Sequence, residues 1–163
     1  MKKTNQKGFT LIELLVVIAI IGLLSTMAVV SLNAARAKSR DAKRVADVKQ
    51  MQTGLEMYYN SCNSYPLQAV LGALPVGASN GCSGTDKLST FMSQVPVAPQ
   101  PYDGSNCSTL GANTYYYQSF NSDGSAACAA SPCPSYAIRY CLGAATGNLS
   151  ANTVLYATPA GMQ

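Results

Sequence analysis

The pattern of hydrophobic and polar positions divides the chain into two unlike parts. Residues 9–32 form an apolar run of 24 positions in which Glu13 is the only charged residue. At about 1.5 Å per residue a helix of this length reaches about 36 Å, which is enough to cross the hydrocarbon of a bilayer. The run therefore predicts a helix that lies in a membrane or is covered by other protein chains.

A different hydrophobic pattern occupies residues 33–60. Apolar residues recur there at three- and four-residue spacing and form one stripe, made by Val45, Val48, Met51 or Gln52, Leu55, and Tyr58 or Tyr59. No proline precedes Pro66, so we expect one helix from about residue 9 to about residue 59. Its second half is expected to be amphipathic and to pack on a sheet through this stripe.

The basic residues of this half are expected opposite the stripe, on a face that is solvated or that pairs with neighbouring protein chains. Lys38 and Arg44 lie within helical reach of Asp41, and Lys43 and Arg44 lie within reach of Asp47. The cluster of cations also raises the possibility of DNA contact. We expect none, because no aromatic residues are interleaved with these cations to form a platform for single strands.

Residues 61–163 contain the strand signals. Residues 61–100 are rich in Gly, Ser, Pro and Asn and read as a linking loop, while residues 114–120, 136–142 and 153–157 are rich in β-forming residues. In the second stretch, alternation places one set of side chains on one face: Tyr136, Ile138, Tyr140 and Leu142. The expected fold is α+β, with a long N-terminal helix packed on a small antiparallel sheet.

Charge and cysteine content disagree about the compartment. The chain carries a net charge of +4, and the cations near the end of the apolar run slightly favour a cytoplasmic position for residues 33–49. The six cysteines indicate instead an oxidising compartment and a domain with disulfides. They are Cys62, Cys82, Cys107, Cys128, Cys133 and Cys141. We give the cysteines more weight, so residues 61–163 are expected outside the cytoplasm.

Six cysteines allow 15 pairings, and spacing does not choose among them. Cys62 with Cys82 would close the loop after the long helix, and Cys133 with Cys141 would bracket a strand.

The sequence offers little for catalysis or metal binding. It has no histidine, no C-x-x-C pair and no recognisable paired carboxylates, which argues against zinc, redox and hydrolytic chemistry, so we expect no enzyme and no cofactor. Asp103 and Asp123 are weak candidates for calcium, since the loop at residues 121–124 offers oxygen ligands, although Asp-Gly is more often a turn. A simple secretory signal is the other interpretation of the N-terminus, and Glu13 and the length of the run argue against it.

The N-terminal motif carries a resemblance to a known family. A basic leader ends at Gly8 and is followed by Phe9-Thr10-Leu11-Ile12-Glu13-Leu14 and by an apolar run containing Gly22. This resembles the type IV pilins and the pseudopilins of type II secretion. The charged helix that ends at Tyr65-Pro66 is most similar to that of a major pseudopilin.

The resemblance implies how the chain is processed. Residues 1–8 would be a leader that a prepilin peptidase removes after Gly8, and the new N-terminal residue, Phe9, would be N-methylated. Gly22 corresponds to the family's helix glycine, a point of flexibility. Val30 stands where most relatives have proline, which puts the family's helix kink in doubt for this chain. The implied partners are other pilin subunits, an assembly platform in the inner membrane and the bilayer.

The chemistry of Glu13 fits this interpretation. Before cleavage the nitrogen of Phe9 is a neutral amide, and after cleavage it is an ammonium one helical turn from Glu13. That ammonium could pair with Glu13 of the same chain or of a staggered neighbour. The alternative is that Glu13 simply lies in the headgroup region at the start of the span. The rival function is a static, single-pass anchor for an extracytoplasmic binding domain; a minor pilin of DNA uptake or adhesion is a further alternative.

Overall fold

The computed structural model describes residues 8–75, 77, 82, 87–101, 114–122, 124 and 126–163. Helix α1 spans Leu11–Cys62 and is followed by a one-turn helix, α2 (Leu88–Phe91). The described residues also contain four strands: β1 (Tyr116–Phe120), β2 (Ser135–Cys141), β3 (Val154–Thr158) and β4 (Gly161–Met162). They form one antiparallel sheet in the order β1-β2-β3-β4, which confirms the expected α+β class.

Helix α1 is continuous over 52 residues. The absence of proline permits this length, and the helix passes through both Gly22 and Val30 without interruption. It ends where Asn63 adopts a left-handed conformation (φ 52°) and donates its backbone N–H to the Tyr59 carbonyl. Asparagine tolerates that conformation better than most residues, and Pro66 follows shortly after it. The chain divides within this helix into two compact units, residues 1–36 and 37–163.

In the second unit, the apolar stripe of α1 forms part of the hydrophobic core. Val48, Met51, Leu55 and Tyr58 are fully or almost fully buried there. The sheet contributes the inward side chains of its strands to the same core: Tyr117, Tyr136, Ile138, Tyr140, Leu155 and Ala157. Burial of each large side chain contributes about 1.5 to 3 kcal/mol relative to exposure. The predicted packing of the stripe on a sheet is confirmed.

Strand alternation follows the predicted pattern. Tyr136, Ile138 and Tyr140 of β2 face the core, and Leu142, just beyond the strand, is also buried. Arg139, between Ile138 and Tyr140, faces the other side of the sheet. Its register partners are Tyr116 of β1 and Tyr156 of β3. Strand β4 was not predicted. It has only two residues and begins at Gly161, so it carries no alternating signal.

The charged face of α1 differs from the prediction. Asp41 and Arg44 are buried (0% and 3% exposed), although Arg44 was expected on a solvated face. Arg44 donates to Asp41 Oδ1 at 2.6 Å, and it also donates to the carbonyl oxygens of Pro99 and Pro101 at 3.0 Å each. The prediction was wrong for Arg44 because loops distant in sequence supply carbonyl acceptors that compensate a buried guanidinium.

The Asp41 carboxylate has partners on the opposite side. It accepts backbone N–H groups from Gly143 at 3.1 Å and Ala144 at 2.9 Å, just after β2. With Arg44, it therefore connects one turn of α1 to two separate loops. We call this group, Asp41 and Arg44 with the loop atoms they bond, the buried ion-pair cluster.

Asp47, about one turn beyond Arg44 on α1, binds a tyrosine. The Tyr115 hydroxyl donates to Asp47 Oδ2 at 2.8 Å. Burial raises the pKa of the Tyr115 phenol, and the hydrogen bond to Asp47 raises it further. The phenol therefore stays protonated as a donor and attaches the start of β1 to the helix.

The disulfides tie loops to the end of α1 and to the sheet. Cys62 is bonded to Cys82, the pairing considered from the sequence, and Cys128 is bonded to Cys133. The suggested pair of Cys133 with Cys141 is therefore wrong. The disulfide between Cys128 and Cys133, five positions apart, closes a small loop. The Cys133 backbone N–H donates to the Ser64 hydroxyl oxygen. The spacing of the cysteines in the sequence does not indicate this packing. Cys141 is also disulfide-bonded, and Cys107 lies outside the described residues.

We expect Asp41→Ala to destabilise the second unit by about 3 to 5 kcal/mol, because it leaves the Arg44 charge and two backbone N–H groups buried without their acceptor. Lys38→Ala on the same helix is the control, since Lys38 is exposed and its loss should cost within about 0.5 kcal/mol. Chemical denaturation of the full chain in detergent micelles, followed by near-UV circular dichroism of the tyrosines, measures both. Equal stability of the two variants would contradict the assignment of a structural role to the cluster.

Candidate functional site

The first half of α1 presents an apolar surface that its own unit leaves uncovered. Large side chains from Phe9 to Leu32 are exposed, including Phe9 at 82% and Val30 at 71%. By length and composition, α1 is the one helix among the described residues that could cross a membrane. Exposed apolar surface of this extent is unfavourable in water, so lipid or other protein chains must cover it.

Polar side chains within the run are satisfied locally. The Ser25 hydroxyl donates to the Ile21 carbonyl at 2.7 Å, and the Thr26 hydroxyl donates to the Leu23 carbonyl at 2.8 Å. These bonds remove the cost of placing free hydroxyl donors in an apolar environment. Glu13 is then the one charged group in the run that needs a partner.

Glu13 has two donors within its own chain. Its Oε2 accepts the Thr10 backbone N–H at 2.9 Å and the Thr10 hydroxyl at 2.7 Å. In return, the Glu13 backbone N–H donates to the Thr10 hydroxyl at 3.2 Å. Thr10 is the residue before the first helical residue and Glu13 is the third helical residue, so the two form a capping box. A carboxylate at this position is also stabilised by the helix dipole.

The capping box explains in part how a carboxylate is tolerated in an apolar run. The sequence pattern led us to expect a cation as the partner of Glu13, whereas its partners within the chain are the neutral donors of Thr10. The signal was present as Thr10-Leu11-Ile12-Glu13, the T-x-x-E spacing that is typical of a capping box. Both bonds fall on Oε2, and no described donor contacts Oε1. The second oxygen is therefore available for a further partner.

The residues expected at the cleavage point precede the helix. Gly8, Phe9 and Thr10 have no regular secondary structure and are exposed, and helix α1 begins at Leu11. Gly22 lies inside the helix, and a Cβ atom there would meet nothing within 4 Å. Gly22 therefore has no steric requirement within the single chain, and its proposed flexibility stays a prediction.

The metal prediction falls outside the described part of the chain. Asp103 and Asp123, the weak calcium candidates, are both among the residues the structure does not describe. Among the described residues, no group of three His, Cys, Asp or Glu side chains is placed to hold a metal ion.

Comparison with known proteins points to the same N-terminal segment. Residues 3–29 match the family model described as the prokaryotic N-terminal methylation motif. The type II secretion system core protein G of Aeromonas hydrophila is 39% identical over 66 residues, which cover 40% of this chain and 46% of that protein. The chain thus spans less than half the length of this secretion relative. No solved structure matches the chain.

Relatives from pili match as well, one of them over a longer stretch. The type IV wide pilus major component PilA4 of Thermus thermophilus is 46% identical over 61 residues, covering 37% of this chain and 47% of that protein. The type IV major fimbrial protein FimA of Dichelobacter nodosus is 32% identical over 113 residues, covering 66% of this chain and 67% of that protein. With an N-terminal methylation motif, an apolar helix capped by Thr10 and Glu13, and a small antiparallel sheet, the chain belongs to the family of type IV pilins and type II secretion pseudopilins.

Proposed function

We propose that this chain is a structural subunit of a helical filament, either a type IV pilus or a type II secretion pseudopilus. It would be cut after Gly8, N-methylated at Phe9 and assembled through the apolar half of α1. The observation that carries the proposal is the uncovered apolar surface of residues 9–32, which contains a carboxylate with one oxygen still available. A filament of such subunits covers that surface with copies of itself.

The local structure supports cleavage between Gly8 and Phe9. Proteases act on extended, accessible backbone, and helical backbone must unwind before it can be cut. Gly8 and Phe9 are exposed and lie before the first helical residue. A prepilin peptidase could therefore bind this bond without unfolding α1, and the capping box downstream of the cut would remain intact.

Cleavage would change the chemistry next to Glu13. It converts the Phe9 nitrogen from a neutral amide into an ammonium, which is protonated at neutral pH and stays so after one methylation. The Thr10 bonds occupy Oε2 of Glu13, so Oε1 can accept the ammonium without loss of the cap. Pairing with the amine therefore adds to the capping box and does not compete with it.

An ion pair in this position would set the stagger of neighbouring subunits. In an apolar environment, a carboxylate without its counter-ion is costly, and breaking a buried pair costs about 3 to 5 kcal/mol. Apolar helix surfaces pack almost equally well in several axial positions, so they do not define a stagger by themselves. The position that brings a Phe9 ammonium to Oε1 of Glu13 on a neighbour would be favoured over slipped positions.

The membrane location follows from the same segment. One apolar helix near the N-terminus, together with the family, fits a subunit anchored in the inner membrane. We propose that the leader faces the cytoplasm and that residues 61–163 lie outside it, where the disulfides of Cys62 with Cys82 and Cys128 with Cys133 could form. The proposed partners are the prepilin peptidase, the inner-membrane assembly platform and other subunits.

Mass analysis of the mature protein's N-terminus tests the processing step. Purified from cells that hold the prepilin peptidase, the chain is expected to lack residues 1–8 and to begin with methylated Phe9. Protein from cells without the peptidase is the control and should keep the leader. A mature form that retains Lys2 and Lys3 in the first cells would contradict the proposal and favour a static membrane anchor.

Two substitutions separate the charge of Glu13 from its capping role. Glu13→Gln removes the charge but keeps an acceptor, and glutamine also completes a capping box. Thr10→Ala removes the cap and keeps the charge. We expect Glu13→Gln to lower the filament yield at least about tenfold, the effect of losing about 1.4 kcal/mol per subunit contact. Thr10→Ala should cause a smaller loss, and both variants should insert in the membrane and be cleaved. Sheared filaments quantified by immunoblot provide the measurement.

Comparison of the two losses in filament yield shows whether the Glu13 carboxylate acts through its charge or through the helix cap. If Glu13→Gln filaments form at the normal yield, pairing with the amine is wrong. If Thr10→Ala is as defective as Glu13→Gln, the carboxylate acts through the helix cap and not through its charge.

A further inference from the structure

The exposed charges of α1 just beyond the apolar run are all positive. Arg36, Lys38 and Lys43 are exposed, and among the described residues none of them lies within ion-pair distance of a carboxylate. The acids on the same turns, Asp41 and Asp47, are buried at 0% and 8% exposure. Their hydrogen bonds go to groups of the second unit and not to these cations. The three cations therefore carry charge that no described carboxylate neutralises.

This result differs from what the sequence indicates. Lys38 lies within helical reach of Asp41, and Lys43 lies within reach of Asp47, so pairs along the helix would leave the surface nearly neutral. Burial of both acids removes that neutralisation. The positive charge of this surface thus follows from the fold and not from the composition of the helix alone.

The three cations follow the apolar run closely. Arg36, Lys38 and Lys43 stand four, six and eleven positions after Leu32, at most about 6, 9 and 17 Å of helix. The headgroup layer on each side of a bilayer is about 5 to 8 Å thick. The field of anionic lipids extends about one Debye length further, which is about 8 to 10 Å. When lipid covers the run, all three cations lie within reach of the headgroups or of their field.

The continuity with the run favours a phospholipid over a soluble partner. In the membrane-anchored state, headgroups surround the end of the run, so their local concentration is high and little freedom is lost on binding. Lysine suits this environment, because its apolar stem can lie along the hydrocarbon boundary while the ammonium reaches a phosphate oxygen. Nucleic acid fits less well, since residues 33–50 contain no aromatic side chain on which a base could stack.

We propose that Arg36, Lys38 and Lys43 bind the phosphate groups of anionic phospholipids in the leaflet that meets the end of the apolar run. These lipids would hold the subunit at a defined depth before it enters a filament. The inference rests on the membrane location given under the proposed function and adds a lipid partner to it.

Native mass spectrometry of the full chain released from nanodiscs tests the proposal. The nanodiscs contain equal amounts of phosphatidylglycerol and phosphatidylcholine with the same acyl chains, so the two lipids differ only in headgroup charge. We expect the lipid that stays bound to be enriched at least about fivefold in phosphatidylglycerol, since one cation near the surface contributes about that factor. The leader lysines are present in every variant, so comparison between variants isolates the cations of α1.

Matched double variants identify the residues. Lys38→Gln with Lys43→Gln should lower the enrichment at least about fivefold, whereas Lys38→Arg with Lys43→Arg should keep it, because the charge is retained. Lys49→Gln with Lys87→Gln is the control. It removes the same number of exposed cations at positions further along the chain, and the enrichment should stay unchanged.

Three results would overturn the proposal. The first is no enrichment of phosphatidylglycerol on the unaltered chain. The second is an equal loss in the two pairs of glutamine variants, which would indicate general attraction between charges. The third is an unchanged lipid ratio in Lys38→Gln with Lys43→Gln together with loss of binding to a short DNA duplex, which would assign these lysines to nucleic acid. A chain that keeps its leader in cells would contradict the filament function but would not alter these lipid ratios, so the two failures are distinguishable.

Discussion

The first half of α1 leaves its large apolar side chains exposed within its own unit, and the rest of the structure depends on this constraint. Exposure of so many apolar side chains in residues 9–32 to water is unfavourable, so this surface must be covered by lipid or by other protein chains. Lipid covers it without any preference for axial position. We propose that Glu13 adds that preference, because a carboxylate in an apolar environment distinguishes a position with a cation from one without it. The Thr10 cap makes this charge tolerable before a cation is present.

The second half of the same helix is held by a different combination of forces. Val48, Met51, Leu55 and Tyr58 bury apolar surface against the sheet, while the buried ion-pair cluster and the Tyr115 bond to Asp47 connect the helix to particular loops. Hydrophobic contact is not directional, whereas these hydrogen bonds have defined partners and distances. The polar bonds therefore fix which loops meet which turn of the helix. The disulfide of Cys62 with Cys82 does the same at the end of α1.

Features with a regular period could be predicted from the sequence. The 3.6-residue stripe ending near Tyr58 and the alternation from Tyr136 to Tyr140 each reflect burial of one face, so helix, sheet and their contact follow from the pattern. The burial of Arg44 could not be predicted, because an i,i+3 ion pair has the same sequence on a solvated face as in a core, and its acceptors at Pro99 and Pro101 lie more than 50 positions away. Disulfide pairing had the same difficulty. The capping box was different, because its T-x-x-E signal is present in the sequence at Thr10 and Glu13.

The central claim is that the ammonium of Phe9 pairs with Glu13 of a neighbouring subunit in the filament. Solid-state NMR on filaments of mixed subunits tests it directly, with one set of subunits carrying ¹⁵N-phenylalanine and the other carrying ¹³C-glutamate. The account predicts magnetisation transfer between the N-terminal nitrogen of Phe9 and the side-chain carboxyl carbon of Glu13, as expected for groups within about 4 Å. Filaments in which this transfer is absent between the differently labelled subunits would contradict it.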